Sequence, residues 1–188
     1  MSMHTKRTRF IDTKPLQNLG DWFRYMGRTH LLRLANVIGP RSSHGVVHDL
    51  IAKIASNPKE LEVLGDRFQE KSYIYITDCV EAIIRLIKRF CDIDKQVDIY
   101  NIGSNDKITI REIATIVSEE MKVPNIKLKF TGGVDGGRGW KGDIETMQLS
   151  INKLLKTGWR PKYTSREAVK LTAKALAKET LRTQTSSN

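Results

Sequence analysis

Hydrophobic positions along this chain fall into short blocks whose spacing switches between that of a strand and that of a helix. The first block, Leu31-Leu32-Arg33-Leu34-Ala35-Asn36-Val37-Ile38, is mostly apolar and stops at Gly39-Pro40. It predicts a strand covered on both faces, as in a parallel sheet. Val47, Leu50, Ile51 and Ile54 then recur at helical spacing over about 46–56, ahead of Asn57-Pro58. Leu61 to Leu64 alternates and breaks at Gly65-Asp66, and Tyr73-Ile74-Tyr75-Ile76 predicts a further strand. Thr77 is the expected N-cap of the next helix, with Asp78 and Glu81 at its positive end and Val80, Ile83, Ile84 and Ile87 as its inward stripe. Val97 to Ile102 predicts a strand closed by Gly103. Thr109 and Glu112 form a capping box for a helix that turns Ile113, Ile116 and Val117 inward. Ile126, Leu128 and Phe130 alternate with lysines, which predicts a half-exposed strand. A glycine-rich loop spans 132–142, Ser150 is the expected cap of a short helix ending at Gly158, and Thr164 with Glu167 forms a second capping box before a helix over about 165–181. Residues 1–29 show no clean period despite Trp22, Phe23 and Tyr25 and are set apart as a leader. Residues 183–188 form a polar tail expected to be disordered. Strands and helices alternate, so the fold class is α/β.

Composition narrows this only a little. The 188 residues, 39% hydrophobic and 28% charged, suit one domain with a core or most of a larger one. No apolar run is long enough to span a bilayer, which excludes a membrane protein, and the basic first ten residues lead into no secretory pattern. Two cysteines, Cys79 and Cys91, make neither a disulfide framework nor a zinc site, so a cytoplasmic setting is expected. The net charge of +11 is concentrated at the ends: residues 1–33 hold seven basic against two acidic residues, and residues 165–182 hold five against two. Such a surface attracts polyanions. Aromatics are not interleaved with the basic residues as a single-strand platform requires, so a nucleic-acid module is the alternative and not the main reading.

Candidate chemistry is sparse. Gly137-Arg138-Gly139-Trp140-Lys141-Gly142 matches G-x-G-x-x-G, but a dinucleotide fingerprint follows a buried strand and opens a helix, and here it does neither. Trp140 and Lys141 are bulky where bare backbone must meet phosphate. A loop facing a substrate is the better reading, with Arg138 and Lys141 able to meet a phosphate. His44 and His48 are four apart, but Gly45 stands where the metalloprotease pattern has Glu and no third ligand is near, so no metal is expected. Cys79 lies at a helix start, where a thiol pKa can fall, yet no base is suggested and packing is the favoured role. No nucleophile elbow, P-loop or paired glycosidase carboxylates occur.

Four ordered blocks together resemble a known family. Leu32-Arg33-Leu34-Ala35-Asn36-Val37-Ile38-Gly39-Pro40-Arg41 is similar to the R-x-x-N-V-x-G-P-R stretch of the NAD-dependent epimerase/dehydratase family, the extended short-chain dehydrogenases. Leu64-Gly65-Asp66, with Lys71 to Ala82, resembles its G-D-G-x-x-x-R-x-(F/Y)-I-x-V-x-D-x-(V/A)-x-A. Tyr100 to Ser104 resembles Y-N-(V/I)-G-x-G, and Gly142-Asp143 with Gly158-Trp159-Arg160-Pro161 resembles the closing G-D and G-W-x-P. The nearest activity is that of a UDP-glucose 4-epimerase. The resemblance covers about 31–180 and implies an incomplete Rossmann-like parallel sheet, carrying its C-terminal strands only, with a small α/β substrate-binding lobe in residues 30–182.

The resemblance also says what is missing from this chain. The family's glycine-rich NAD loop is not found, and none of Tyr25, Tyr73, Tyr75, Tyr100 and Tyr163 has a lysine four residues on, so the Y-x-x-x-K pair is lacking. In that pair the tyrosine is the general acid/base and the lysine lowers its pKa. The implied chain is the part of an enzyme that holds a nucleotide sugar, inactive alone, with no catalytic residue of its own. NAD belongs to the intact family and is not expected to bind this chain by itself. By position, Asn36 and Lys71 would meet the diphosphate, Val46, Val47, Leu61 and Val63 would line the base, Arg138 would supply a second cation, and Asp143 would accept from ribose hydroxyls. Lys71 stands where relatives have Arg, which exchanges a bidentate fork for a point charge. The leader would then be foreign sequence joined to a truncated reading frame. Expected partners are a UDP-hexose-like nucleotide sugar and either a second copy or a separate NAD-binding chain.

Overall fold

The computed structural model describes residues 29–89, 97–134 and 136–185. Of the leader, only Thr29 is among them; Trp22, Phe23, Tyr25 and Cys91 lie outside the described residues. The strands are β1 (Thr29–Leu34), β2 (Asn36–Ile38), β3 (Glu60–Val63), β4 (Glu70–Lys71), β5 (Tyr73–Tyr75), β6 (Val97–Ile102), β7 (Ile108–Thr109), β8 (Lys127–Phe130) and β9 (Thr146–Met147). The helices are α1 (Val46–Ser56), α2 (Ile76–Lys88), α3 (Ile110–Glu120), α4 (Asn152–Leu155) and α5 (Ser165–Thr185). Residues 186–188 of the predicted tail lie outside the described residues.

Three short parallel pairs carry the architecture: β1 with β6, β2 with β5, and β3 with β8. The apolar run at 31–38 is therefore two strands. Its first part pairs with β6, then the chain changes partner at buried Ala35, whose N–H still reaches Ile102 O at 2.8 Å. A fourth, mixed sheet sets β4 between antiparallel β7 and parallel β9. This is the α/β arrangement that alternation predicted, with the partial Rossmann-like sheet that the resemblance implied.

Two cores form, and β5 feeds both. Tyr73 packs with Val47, Leu50 and Ile51 of α1, Leu61 and Val63 of β3, Ile113 and Val117 of α3, and Val169 and Leu176 of α5. Ile74, the next residue, points the other way, to Cys79, Ala82 and Leu86 of α2, Ile102 of β6, Leu154 of α4 and Trp159. Adjacent residues of a strand face opposite sides, so a three-residue strand can join two layers. Polar anchors fix it. Tyr73 N–H donates to Ser165 Oγ at 3.0 Å, and Asp78, almost fully buried, accepts the N–H groups of Lys162 and Tyr163 at 2.9 and 3.0 Å.

Both capping boxes are present, at Thr109–Glu112 and Thr164–Glu167. The other two caps differ from expectation. α2 begins after Tyr75, without a side-chain cap, so Thr77 sits inside its first turn, and Ile151 rather than Ser150 precedes α4. The inward stripe of α2 is also not the one expected. Asp78, Cys79, Ala82 and Leu86 are buried, while Val80, Ile84 and Ile87 are 44–46% exposed and Ile83 is half-buried. Periodicity gives a helix and its two faces; here the face turned inward is the one with the smaller residues, because Asp78 must reach the backbone at 162–163. Burial pushes the Cys79 thiol up, which fits a packing role.

Two outcomes follow from these contacts. Thr109→Ala removes the α3 cap and is expected to cost about 1 kcal/mol in denaturant unfolding. Hydrogen bonds from Thr109 hold the Glu112 carboxyl below its ordinary value, with Arg166 adding to this against the effect of burial. The Glu112 contribution is present above the unfolded-state pKa and is lost as pH falls through the lowered folded value, so Glu112→Gln flattens the acid side of a melting-temperature profile. Ile84→Lys on the exposed face of α2 leaves the melt within about 0.5 kcal/mol and raises the concentration at which turbidity begins.

Candidate functional site

A cleft opens where α1, β3, β4, β5, β7 and the loop ahead of β9 converge, with about 180 Å³ of enclosed space. Its walls include Val46, Leu50, Val63, Leu64, Ile108 and Ile113, and its polar and charged groups are Asp49, Lys53, Gln69, Lys71 and Asp143. Few polar groups in an apolar wall is the general make-up of a small-molecule site.

Asp143 organises the polar side. It is 6% exposed and uses both oxygens twice. Oδ1 accepts from Lys71 Nζ at 2.6 Å and Ile144 N–H at 2.9 Å; Oδ2 accepts from Gln69 Nε2 at 3.1 Å and Gly139 N–H at 3.2 Å. A carboxylate has about four such sites, so its capacity is filled. Burial works against its charge, but the Lys71 ammonium and the two backbone N–H groups outweigh it and hold the carboxyl below the usual carboxylate range. Space for this comes from glycine. A Cβ on Gly65, whose φ is +100°, would lie 1.8 Å from Gln69 Oε1, and one on Gly139 would lie 3.1 Å from Asp143 Oδ2.

The same carboxylate fixes the glycine-rich loop. Gly139, whose N–H it accepts, directly precedes Trp140, and Asp143 N–H donates to Trp140 O at 3.0 Å. Trp140 lines the cleft, and Lys71 Nζ lies 5.2 Å from its ring centre. Across the cleft, α1 starts from Gly45 with no side-chain cap, so its first-turn N–H groups have no side-chain acceptor.

The eight residues predicted from sequence separate in space. Val46, Val63, Lys71 and Asp143 line the cleft together. Val47 and Leu61 are buried in the core behind it. Asn36 opens β2, and its Nδ2 donates to Ser72 O at 3.1 Å, beside Lys71 in the chain but outside the cleft lining. Arg138 is half-buried in a turn closed by paired hydrogen bonds with Val134, and its Nε is shielded without a hydrogen-bond partner among the described residues. Gln69, Gly139 and Trp140 were not singled out from sequence as site members. A glutamine just ahead of Glu70 and Lys71 gives no sign of burial, and a tryptophan in a glycine-rich loop reads as an obstacle to a fingerprint.

Tyr73 also borders the cleft, but burial, with the Asp143 charge adding to it, pushes its phenol up to about 12. That is the opposite of what an acid/base tyrosine needs.

Comparison with known proteins agrees with this architecture. The model of the NAD dependent epimerase/dehydratase family matches residues 23–103. A solved UDP-galactose 4-epimerase superposes with a TM-score of 0.72 at 40% identity, covering 85% of this chain and 49% of that one. The UDP-glucose 4-epimerase of Thermotoga maritima, solved with UDP-glucose, gives 0.65 at 25% identity, covering 86% of this chain and 50% of that one. Human dTDP-D-glucose 4,6-dehydratase is 25% identical over 151 residues, which is 80% of this chain and 42% of the relative. The chain is similar to the NAD dependent epimerase/dehydratase family over the matched residues and spans half or less of the length of these relatives.

Removing the Asp143 carboxylate frees four donors at once. Asp143→Ala is therefore expected to loosen 132–144, read as faster limited proteolysis at Arg138 and Lys141, while the α3–α5 core keeps its hydrogen-exchange protection.

Proposed function

We propose that this chain is the nucleotide-sugar-holding part of a sugar epimerase or dehydratase, with a UDP-hexose as the ligand class. The observation that carries the reading is Lys71: an ammonium held by a buried carboxylate at the rim of an apolar cleft, opposite an uncapped helix N-terminus. Lys71 and the first-turn N–H groups of α1 suit the diphosphate. Val46 and Val63 suit the base, with Val47 and Leu61 setting that wall from behind, and Asn36 stiffens the strand end beside Lys71 through Ser72. Asp143 orients Lys71, and a ribose hydroxyl reaches it only by replacing one of its present donors. Arg138 meets a phosphate only after its turn opens.

NAD supplies hydride transfer in the family, and this chain's residues do not fit it. The G-x-G-x-x-G stretch is followed by β9 and not by a helix, and Gly137 is closed off by Asp66, whose Oδ2 lies 2.1 Å from where a Cβ would stand. With Tyr73 held protonated and no Y-x-x-x-K pair, the chain alone binds without turning over. A separate NAD-binding chain is the partner that would complete the reaction.

Calorimetric titration with UDP tests this. The pure chain is expected to bind UDP, Lys71→Arg to keep that binding, and Lys71→Met to weaken it roughly tenfold or more, as loss of a charged hydrogen bond implies. UDP-glucose incubated with NAD and the pure chain is expected to yield no UDP-galactose. No UDP binding, or turnover by the chain alone, overturns the proposal.

A further inference from the structure

We infer that Trp140 is the stacking platform for the ligand's nucleobase, and that Lys71 covers this ring face until a phosphate draws its ammonium away. The inference rests on the nucleotide-sugar reading and assigns a residue that the reading does not use.

Trp140 is 57% exposed, yet its backbone is held by Asp143, which accepts from Gly139 N–H just ahead of it and donates its own N–H to Trp140 O. An exposed indole contributes little to folding, and fixing it in place confers no stability that a smaller residue would lack. The position of Lys71 shows which way the ring faces. Its ammonium lies 5.2 Å from the ring centre and also lines the cleft, so one π-face is turned to the cleft and carries a cation. The remaining wall there is Val46, Leu50 and Val63. The carboxylate beside it is committed: Asp143 has four donors, and Gln69 Nε2 is one of them. A sugar hydroxyl finds no spare acceptor site on Asp143, whereas a planar heterocycle stacks on a flat apolar wall and a π-face. The enclosed space, about 180 Å³, is below the roughly 300 Å³ at which whole-ligand pockets begin, and suits one ring with the phosphates lying outside it toward Lys71.

Lys71 therefore has alternative partners. Without ligand it is shared between the Asp143 carboxylate and the indole. A bound phosphate offers a full negative charge, against which a cation–π contact in a wet cleft is weak. The ammonium shifts toward the phosphate, and the base takes the vacated face.

The test is calorimetric titration of the full chain with UDP, uridine and inorganic pyrophosphate. Trp140→Ala is expected to weaken UDP and uridine roughly tenfold or more and to leave pyrophosphate within about twofold, since base stacking on an aromatic is lost and the phosphate contacts are not. Trp140→Phe keeps most of the affinity and shows that any loss is not misfolding. Lys71→Met reverses the pattern, losing pyrophosphate and keeping uridine. Unchanged UDP affinity in Trp140→Ala, or equal losses for UDP and pyrophosphate, overturns the platform while leaving the nucleotide-sugar reading intact. A wild-type chain that binds neither UDP nor pyrophosphate overturns both.

Discussion

Everything in this molecule hangs on the burial of β5 between two cores. Tyr73 and Ile74 are consecutive, face opposite ways and are both inaccessible, so one short strand carries the layer of α1, α3 and α5 on one side and that of α2 and α4 on the other. A strand in that position has no water to satisfy its backbone and must be met by protein groups. β2 supplies one edge, and the Ser165 hydroxyl meets Tyr73 N–H and O at the start of α5. Asp106 in turn accepts from Ser165 N–H, and Asp78 holds the approach to the same helix. Backbone N–H groups point at both carboxylates, buried Asp78 and half-buried Asp106, and satisfy acceptors that water would otherwise have to meet.

The cleft inherits its geometry from this arrangement. Lys71 is two residues ahead of Tyr73, so its direction is set by β4, which lies between β7 and β9 and has its pairing fixed on both edges. Asp143 arrives from far along the chain, three residues before β9, and the β4–β9 pairing brings it to Lys71. The ion pair is thus a consequence of strand register. Its value lies in orientation: a flexible lysine is held at a cleft rim by a carboxylate that has no spare acceptor site left.

Outside the cleft the surface is less settled. Ile84, Val80 and Ile87 form an apolar stripe along α2, and Leu34 and Ile99 remain exposed on β1 and β6. Such faces favour association. In this chain they coincide with the elements of the first parallel pair and its neighbouring helix, away from the α3–α5 layer, where the apolar faces are well covered.

The sequence by itself determined most of the element list. Spacing placed α1 and α3, alternation placed β3, β5 and β8, and both capping boxes announced their helices, because each of these signals is local and acts within a turn or two of backbone. It also carried the resemblance to the epimerase/dehydratase family, through four short blocks in the same order. Tertiary structure alone decided which side of α2 turns inward, since a helix with apolar residues on more than one face is oriented by what its polar side chains must reach, here Asp78 and the backbone of 162–163. It decided that the run at 31–38 changes partners at Ala35, and that Asp143 meets Lys71, Gln69 and the loop around Trp140. Those contacts join positions some seventy residues apart, and no local pattern in a single chain records which distant groups will share a buried carboxylate.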